Sequence, residues 1–263
     1  MIPRERVTLE GRRGLVTGIA NGSSIAWGCA RAFRGLGAEL AVTYLNDKAR
    51  PHVEPLAREL EAPILMPLDL EQPGQLEAVF ERIERDWGQL DFLLHSIAFA
   101  PREDLHGRVV DCSRDGFLRA MDISCWSFLR MARLAEPLMA RGDNPGGALF
   151  CMSYYGSQRV VEHYNMMGPV KAALESATRY LAAELGPQGI RVHAISPGPL
   201  KTRAASGISD FDEMLERAQS TAPARSLVSI EDVGLATAYL ATDAAKLITG
   251  QTLYIDGGYN IMG

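Results

Sequence analysis

The sequence has no apolar run long enough to cross a membrane and no concentrated stretch of positive charge. A membrane-spanning helix needs about 20 consecutive apolar residues, so we expect no membrane segment. A protein that binds a nucleic-acid duplex needs a concentrated basic face, and the formal net charge here is −5. We therefore expect no nucleic-acid partner. Residues 1–14 are too polar for a secretory signal, and we expect none there.

Cysteine is also scarce. No two of the four cysteines stand at C-x-x-C spacing, and none is paired with a histidine at the spacing of a zinc site. We therefore expect no metal, and we expect buried free thiols at Cys29, Cys112, Cys125 and Cys151. Free thiols favour a reducing, cytoplasmic compartment.

The composition is that of a globular protein with a sizeable core. Of the 263 residues, 47% are hydrophobic and 22% are charged. No repeat, linker or shift in composition divides the chain, so we expect a single domain over residues 1–263. Seven short β-rich runs alternate with helical patterns, at about residues 14–17, 39–44, 64–68, 90–95, 146–152, 190–195 and 252–256. This alternation predicts an α/β fold: a Rossmann-like, doubly wound, mostly parallel seven-stranded sheet with helices on both faces.

In such a sheet, ligands bind beyond the carboxyl ends of the strands. The first strand is followed by "TGIANGSSIAWG", residues 17–28. Gly18 and Gly22 can provide a tight turn beside a pyrophosphate, and Ser24 can cap the next helix or bond a phosphate. The spacing is not G-x-G-x-x-G, so a glycine cluster that only forms a turn stays an alternative.

The ends of the second and third strands bear on the choice of dinucleotide. The stretch Tyr44-Leu45-Asn46-Asp47-Lys48 has no arginine at the turn itself to pair with a 2′-phosphate, which favours NADH. Lys48 and Arg50 also allow NADPH. Asp69, after the third strand, can bond an adenine amino group through its side chain, or it can cap the following helix.

The stretch "HYNMMGPVK", residues 163–171, holds a tyrosine and a lysine seven residues apart. Such a pair is most often a core aromatic and a solvated amine. Alternatively, Lys171 holds the hydroxyls of a nicotinamide ribose and favours a polarised Tyr164 hydroxyl. Seven residues span two helical turns, so we expect both side chains on one helical face. The commoner Y-x-x-x-K is absent because Met167 stands four residues before Lys171, and Tyr154 lies ten residues before Tyr164.

With these motifs in place, the chain resembles the NADH-dependent, triclosan-binding enoyl-acyl-carrier-protein reductases, a divergent branch of the short-chain dehydrogenase/reductases. The Y-x6-K spacing, the preceding tyrosine and S-I-A-F-A carry the resemblance together. The matching stretches are "GIANGSSIAWG" (18–28), "AELAVTYLND" (38–47), "HSIAFAP" (95–101), "SYYG" (153–156), "YNMMGPVKAALE" (164–175), "RYLAAELGPQGIRVHAISPGPLKTRAASGI" (179–208) and "TGQTLYIDGGYNIMG" (249–263).

The resemblance implies hydride addition from NADH to the β-carbon of an enoyl thioester bound to acyl carrier protein. Tyr164 would stabilise the negative charge on the thioester oxygen, Lys171 would bind the ribose, and Tyr154 would shape the pocket near the thioester. Ala98 and Ala100 would line the substrate side. Implied cofactor contacts are Gly18, Ser24, Ile25, Leu45, Asp69, Leu70, Ile97, Lys171, Leu200, Lys201, Thr202, Arg203 and Ala204. The resemblance also implies a homotetramer, with the helices after the fourth and fifth strands and the apolar tail at its interfaces.

Residues 198–226 have weak periodicity and many small side chains. Long irregular segments are often active-site lids, although a pair of short surface helices is compatible with the same pattern. Four basic residues here can steer an acidic carrier protein or can simply be solvated, and Lys201 and Arg203 can equally meet cofactor phosphates.

Two positions depart from the family pattern: Glu162-His163 replaces a proline-containing turn before Tyr164, and Pro169 stands where leucine is usual. Proline is tolerated in a first helical turn, so Pro169 predicts that the helix begins near it. Two other functions stay open: a short-chain dehydrogenase acting on a ketone or alcohol, and a non-catalytic dinucleotide sensor. The absent Y-x-x-x-K argues against the first and the Tyr164–Lys171 pair against the second.

Overall fold

The computed structural model of the protein describes residues 6–105, 107–141, 145–202 and 211–262. Seven strands form one sheet in which each neighbouring pair is parallel. The strands are β1 (Arg13–Thr17), β2 (Glu39–Tyr44), β3 (Ile64–Pro67), β4 (Phe92–His95), β5 (Gly147–Met152), β6 (Ile190–Pro197) and β7 (Gln251–Ile255). The predicted α/β fold is confirmed, and the sheet is parallel throughout rather than mostly parallel.

The order of the strands is β3-β2-β1-β4-β5-β6-β7. The chain builds outward from β1 to β3, returns to the other side of β1, and then builds outward from β4 to β7. The winding therefore reverses between β1 and β4, whose last residues Thr17 and His95 are paired. In an open parallel sheet a crevice for a ligand forms at this reversal.

The connections between the strands are mainly helical. The α-helices are α1 (Ile25–Gly35), α2 (Arg50–Glu59), α3 (Gln75–Trp87), α4 (Arg102–Leu105), α5 (Arg114–Met121), α6 (Ser127–Met139), α7 (Met167–Leu185), α8 (Phe211–Thr221) and α9 (Ile230–Ala241). Short 3₁₀ turns lie at Val109–Asp111, Tyr155–Ser157, Gly186–Gln188, Asp243–Ala245 and Tyr259–Ile261. A π-helical turn (Asp122–Trp126), called the π-turn below, joins α5 to α6.

Two hydrophobic cores cover the two faces of the sheet. Alternate residues of β1 point to opposite faces, so Leu15 belongs to the core under α3, α6 and α7, whereas Val16 belongs to the core under α1, α2 and α9. Helices α1 and α9 pack closely because Gly28 and Gly234 have no side chains: a Cβ on either would lie within 2.3 Å of the carbonyl oxygen of a residue on the facing helix.

The cysteine prediction is correct at three positions and wrong at one. Cys29, Cys125 and Cys151 are buried free thiols, but Cys112 is partly exposed. It follows the short 3₁₀ turn of residues 109–111, where Val109 and Val110 also face solvent. Among the described residues, no helix combines the length and the apolar character that crossing a membrane requires.

Candidate active site

The loop after β1 approaches the end of β4 more closely than a side chain would allow. Gly18 has a φ of 92°, and a Cβ at this position would lie 2.0 Å from the carbonyl oxygen of Ser96. Only glycine adopts this conformation without strain. Gly22 has a φ outside the left-handed region and open space around it, so Gly18 alone of the two predicted glycines requires its lack of a side chain.

Ser24 lies directly before α1 but does not cap it with its side chain. Its hydroxyl oxygen instead accepts hydrogen bonds from the backbone N–H groups of Ala20 at 3.0 Å and Asn21 at 3.1 Å. Ser24 therefore fixes the glycine loop. The first N–H groups of α1, beginning at Ile25, are left without a side-chain cap, and such groups form an anion site.

The ends of β2 and β3 present Leu45, Asp69 and Leu70. Leu45 is 54% exposed, and Leu70 packs against the first core. One Asp69 carboxylate oxygen accepts the N–H of Glu71 at 3.0 Å. The N-cap residue, directly before α3, is Gly74, so the alternative interpretation of Asp69 as a helix cap is wrong.

The two basic residues that allow NADPH differ in their surroundings. Arg50 contacts the Glu54 carboxylate at 3.2 Å, and its guanidinium lies 5.9 Å from the centre of the Tyr44 ring. Lys48 is exposed. Arg50 is therefore held along α2, which agrees with the preference for NADH inferred from the sequence.

The loop after β4 carries Ile97, Ala98 and Ala100 and is fixed by a residue of the π-turn. The Ser124 hydroxyl accepts from the N–H of Phe99 at 2.9 Å and donates to its carbonyl oxygen at 3.0 Å. Ile97 and Ala100 pack against the first core, and Ala98 is exposed. The N–H and the carbonyl oxygen of Phe99, at the middle of the loop, are thus both hydrogen-bonded to the Ser124 side chain.

An arginine covers the side chain of Phe99. The Arg119 guanidinium lies 4.6 Å from the centre of the Phe99 ring and makes two bonds to the Glu71 carboxylate, at 2.6 and 2.7 Å. This chain of contacts connects the segment after β3 with the loop after β4. Arg119 and Ser124 could not be found from the sequence, because helical periodicity does not show which side chains of α5 and of the π-turn face a distant loop.

The two candidate catalytic tyrosines are in contact. The Tyr154 and Tyr164 ring centres are 4.9 Å apart in an edge-to-face arrangement, and the Tyr154 hydroxyl donates to the sulfur of Met214 on α8 at 3.3 Å. Gly156 lies against Tyr164, since a Cβ there would be 2.5 Å from the tyrosine ring. Burial raises the pKa of both tyrosines above the usual value, so both hydroxyls are protonated donors at neutral pH.

Tyr164 is not on the helix that carries Lys171, and the expectation of two turns of one helix is wrong. Helix α7 begins at Met167, and Tyr164 lies in the turn before it. Its two neighbours, His163 and Asn165, have φ values of 61° and 44°, a left-handed conformation that is uncommon outside glycine. This turn, rather than helical periodicity, sets the position of Tyr164. Pro169 lies in the first turn of α7, as predicted.

Lys171 is 5% exposed, and its ammonium group donates to the carbonyl oxygen of Met152 at 2.6 Å. Burial lowers the pKa of Lys171 to about 8, while Cys151, Cys125 and Glu175 act in the opposite direction. The lysine is thus a buried cation rather than a solvated amine. Since an ammonium has three N–H donors, two are left for a further ligand.

The segment after β6 carries the last group of predicted cofactor contacts. Leu200 packs against the second core, and the N–H of Thr202 bonds the Leu200 carbonyl oxygen at 2.8 Å. Lys201 forms an exposed ion pair with Asp212 of α8 at 2.8 Å. Arg203 and Ala204 lie outside the described residues.

The ends of strands β1 to β6 thus gather groups that fit a dinucleotide. Gly18 lets the loop after β1 approach the end of β4 closely, α1 begins without a side-chain cap, and Lys171 offers a buried ammonium. A pyrophosphate suits the helix start and ribose hydroxyls suit the ammonium. Tyr154 lies just after Met152, whose carbonyl oxygen accepts the hydrogen bond of Lys171, and Tyr164 contacts Tyr154. The tyrosine hydroxyls and the ammonium therefore belong to one region.

A comparison with known sequence families agrees with this geometry. The family described as Enoyl-(Acyl carrier protein) reductase matches residues 18–260, which is most of the chain. The chain belongs to this family. Among curated relatives, enoyl-[acyl-carrier-protein] reductase [NADH] 1 of Rhizobium meliloti is 46% identical, over 97% of this chain and 92% of that protein. The FabI protein of Haemophilus influenzae, described as an NADH enzyme, is 46% identical over 96% and 95%.

Solved structures of family members have the same fold. The reductase of Anaplasma phagocytophilum, solved in complex with NAD, superposes with a TM-score of 0.92 at 44% identity and covers 97% of this chain and 96% of its own. The Bacillus cereus reductase, solved with NADP+ and an indole naphthyridinone, gives a TM-score of 0.93 at 42% identity, over 97% and 98%. The resemblance stated from the sequence is therefore confirmed.

Proposed function

We propose that the protein reduces the carbon–carbon double bond of trans-2-enoyl thioesters on acyl carrier protein, with NADH as hydride donor, in the last step of the fatty acid elongation cycle. The full-length family match carries this proposal. NADH supplies the hydride when bound. The remaining tasks fall to the chain itself: to bind the two reactants, to stabilise the charge that develops on the thioester oxygen, and to exclude water.

In this proposal Tyr164 stabilises the thioester oxygen. Negative charge grows on that oxygen as the β-carbon accepts the hydride, so a donor aimed at it stabilises the transition state more than the ground state. Burial raises the pKa of Tyr164, and its hydroxyl therefore stays protonated at neutral pH. A protonated, partly buried donor in a fixed position is what this task requires.

Lys171 would hold the ribose hydroxyls of the dinucleotide. Its ammonium is buried, and its bond to the Met152 carbonyl oxygen at 2.6 Å fixes its direction. Gly18, Ser24 and Ile25 would bind the pyrophosphate at the start of α1. The adenosine and nicotinamide contacts would come from the other strand ends: Leu45, Asp69, Leu70, Ile97, Leu200, Lys201, Thr202, Arg203 and Ala204.

Tyr154, Ala98 and Ala100 would line the substrate side. The Tyr154 hydroxyl bonds a thioether sulfur, which is a weak acceptor that a thioester oxygen can replace at small cost. That sulfur belongs to Met214 of α8, within residues 198–226, the proposed lid of a single catalytic and dinucleotide-binding domain over residues 1–263. The contact between Tyr154 and α8 supports the assignment of these residues as a lid over the substrate.

The protein would act as a homotetramer in the cytoplasm. Trp126 of the π-turn is 53% exposed, Leu118 of α5 is 48% exposed and Tyr180 of α7 is 70% exposed. Large apolar side chains exposed on the helices that follow the fourth and fifth strands support an interface between copies of the chain. A molecular mass in solution near four times that of the chain is expected, and replacement of Trp126 by glutamate should lower it.

The function is tested by the loss of NADH absorbance with crotonyl- or dodecenoyl-thioester. NADH and NADPH are supplied separately, and Tyr164→Phe and Lys171→Ala are measured beside wild type. We expect oxidation of NADH by wild type and lower rates in both variants. Tyr239→Phe, an exposed tyrosine of α9, is the matched control for loss of a hydroxyl and should keep its activity. Binding of NADH without turnover of any enoyl thioester would overturn the proposal and direct the search to carbonyl substrates.

A further inference from the structure

Glu175 is a buried carboxylate one helical turn after Lys171. It is 3% exposed, and residues four apart on a helix lie on the same face. Charged side chains are seldom fully buried unless they have partners. Here the partners are two serines: the hydroxyls of Ser153 and Ser157, the latter at 2.6 Å, both donate to the same carboxylate oxygen. Because both are donors, the arrangement suits the ionised form of Glu175.

The two serines that bond Glu175 flank Tyr154 in the sequence. The segment 152–157 begins at the last residue of β5, and Ser153 and Ser157 both belong to it. Through them Glu175 joins the Tyr154 segment to α7. The same segment also supports Tyr164, because Gly156 packs against the tyrosine ring, and the first turn of α7 approaches it so closely that a Cβ on Gly168 would lie 3.0 Å from the Gly156 carbonyl oxygen.

Lys171 makes a second connection between α7 and this segment, through the Met152 carbonyl oxygen. In the proposed function this lysine also binds ribose hydroxyls, so it cannot serve only the segment. The proposed function gives Glu175 no such second task. Glu175 can keep residues 152–157 in place whatever ligand the lysine holds.

Glu175 also bears on the charge of Lys171. The titratable groups that face the lysine come from four elements: Cys151 of β5, Cys125 of the π-turn, His95 of β4 and Glu175 of α7 itself. Burial raises the pKa of Cys151 to about 12 and also raises that of Cys125, and it lowers the pKa of His95 to about 3. Those three groups are neutral near pH 7. Cys151 and Cys125 would oppose the loss of a proton from the buried ammonium only as thiolates, so near pH 7 this effect comes from the Glu175 carboxylate.

We propose that Glu175 is a positioning residue: it ties the Tyr154 segment to α7 through Ser153 and Ser157, and its negative charge keeps Lys171 in the ammonium form. This inference rests on the proposed function, which assigns the tasks of the tyrosines and the lysine. The two parts of the role can be separated. One variant removes the charge and keeps the acceptor, and another removes a serine bond and keeps the charge.

The charge is tested with Glu175→Gln by titrating NADH binding from about pH 6 to about pH 10, a range that brackets the lysine's titration. The glutamine carbonyl still accepts from both serines. In wild type, binding should weaken as the pH rises through about 8, where Lys171 loses its proton. In Glu175→Gln this decline should begin about one pH unit lower. Glu184→Gln, an exposed site on the same helix, is the control. Equal pH profiles for both variants would overturn the charge role.

The tether is tested with Ser157→Ala and Ser157→Thr. Alanine removes one bond to Glu175 and should lower kcat about tenfold with little change in KM or in the pH profile of NADH binding. Threonine keeps the hydroxyl and should restore kcat. Equal kcat values in both variants and wild type would overturn the tether. Absence of wild-type turnover with enoyl thioesters would instead refute the proposed function, while the binding profile of Glu175→Gln would still report on the charge.

Discussion

The glycine loop (residues 17–24) and the tyrosine–lysine region (residues 152–175) lie at the ends of β1 and β5, with only β4 between them in the sheet. They prepare the same crevice by opposite means. The glycine loop depends on an absent side chain at Gly18 and on backbone N–H groups at the start of α1. The tyrosine–lysine region depends on buried titratable side chains, above all Lys171 and Glu175.

The difference follows from the chemistry each region serves. A pyrophosphate carries fixed charge and needs close approach and many N–H donors, which backbone supplies best. A reacting oxygen gains charge only during the reaction and needs donors whose protonation is controlled. The glycine loop should therefore be sensitive to added atoms, and the tyrosine–lysine region should be sensitive to removed atoms and to pH.

The largest expected effect comes from adding a methyl group at Gly18. Gly18→Ala should lower the free energy of unfolding by about 3 kcal/mol and weaken NADH binding, because the Cβ would lie 2.0 Å from the Ser96 carbonyl oxygen at a φ of 92°. Unfolding in urea and NADH titration measure both. Gly22→Ala, with no atom within 4 Å of its Cβ, is the control and should change stability by no more than about 0.5 kcal/mol. Similar losses in both variants would mean that close approach is not the cause.

The tyrosine–lysine region should respond most to loss of the ammonium. Lys171→Met keeps most of the side-chain volume but removes the donors for the ribose. Hydrogen bonds that involve a charged group contribute about 1.5–3 kcal/mol, so NADH affinity should fall at least about tenfold. Fluorescence titration with NADH measures this. Lys246→Met, in an exposed turn beyond α9, should bind NADH as wild type does; an unchanged affinity in Lys171→Met would remove the lysine from the cofactor site.

Acid should weaken the fold through His95, which lies beside the tyrosine–lysine region. Its Nε2 contacts the Ser127 hydroxyl at 2.7 Å, and burial followed by the charge of Lys171 lowers its pKa to about 3. The unfolded chain binds a proton below about pH 6.5 whereas the folded chain does not, so stability falls as the pH falls. One such group removes about 1.4 kcal/mol between about pH 7.5 and about pH 5.5.

Urea unfolding at both pH values measures that loss. His95→Asn should show a smaller loss than wild type, and the exposed His52→Asn should match wild type. Buried His193, whose pKa burial lowers to about 4, contributes to the loss in all three proteins and cancels in the comparison. An equal loss in His95→Asn would mean that acid acts elsewhere.

The features that the sequence predicted correctly depend on residues close together in the chain, whereas the features it missed depend on backbone conformation and on contacts between distant residues. The strands follow local apolar patterns. Gly18 and Lys171 could be predicted because each belongs to a short sequence motif that follows a predicted strand. The turn that holds Tyr164 was missed because its left-handed residues, His163 and Asn165, are not glycines. The role of Glu175 was missed for another reason: its spacing from Lys171 is visible in the sequence, but its bonds to serines 18 and 22 residues away depend on how α7 packs against β5.

The smallest expected effects on stability come from replacing the serine before α9, Ser229, or the serine before α1, Ser24. The Ser229 hydroxyl oxygen accepts from the N–H of Asp232 at 3.1 Å, and the Ser229 N–H donates to the Asp232 carboxylate at 2.8 Å, which completes a capping box at the start of α9. Ser24, at the start of α1, bonds the glycine loop instead. Ser229→Ala should lose about 1 kcal/mol of stability and bind NADH normally. Ser24→Ala should lose a similar amount or less, but its NADH affinity should fall because the loop is no longer fixed. If the two variants bind NADH equally well, the loop is fixed by its glycine alone and not by the Ser24 hydroxyl. The glycine loop after β1 would then depend on backbone alone, and its contrast with the side chains of the tyrosine–lysine region after β5 would be sharper than the hydrogen bonds of Ser24 suggest.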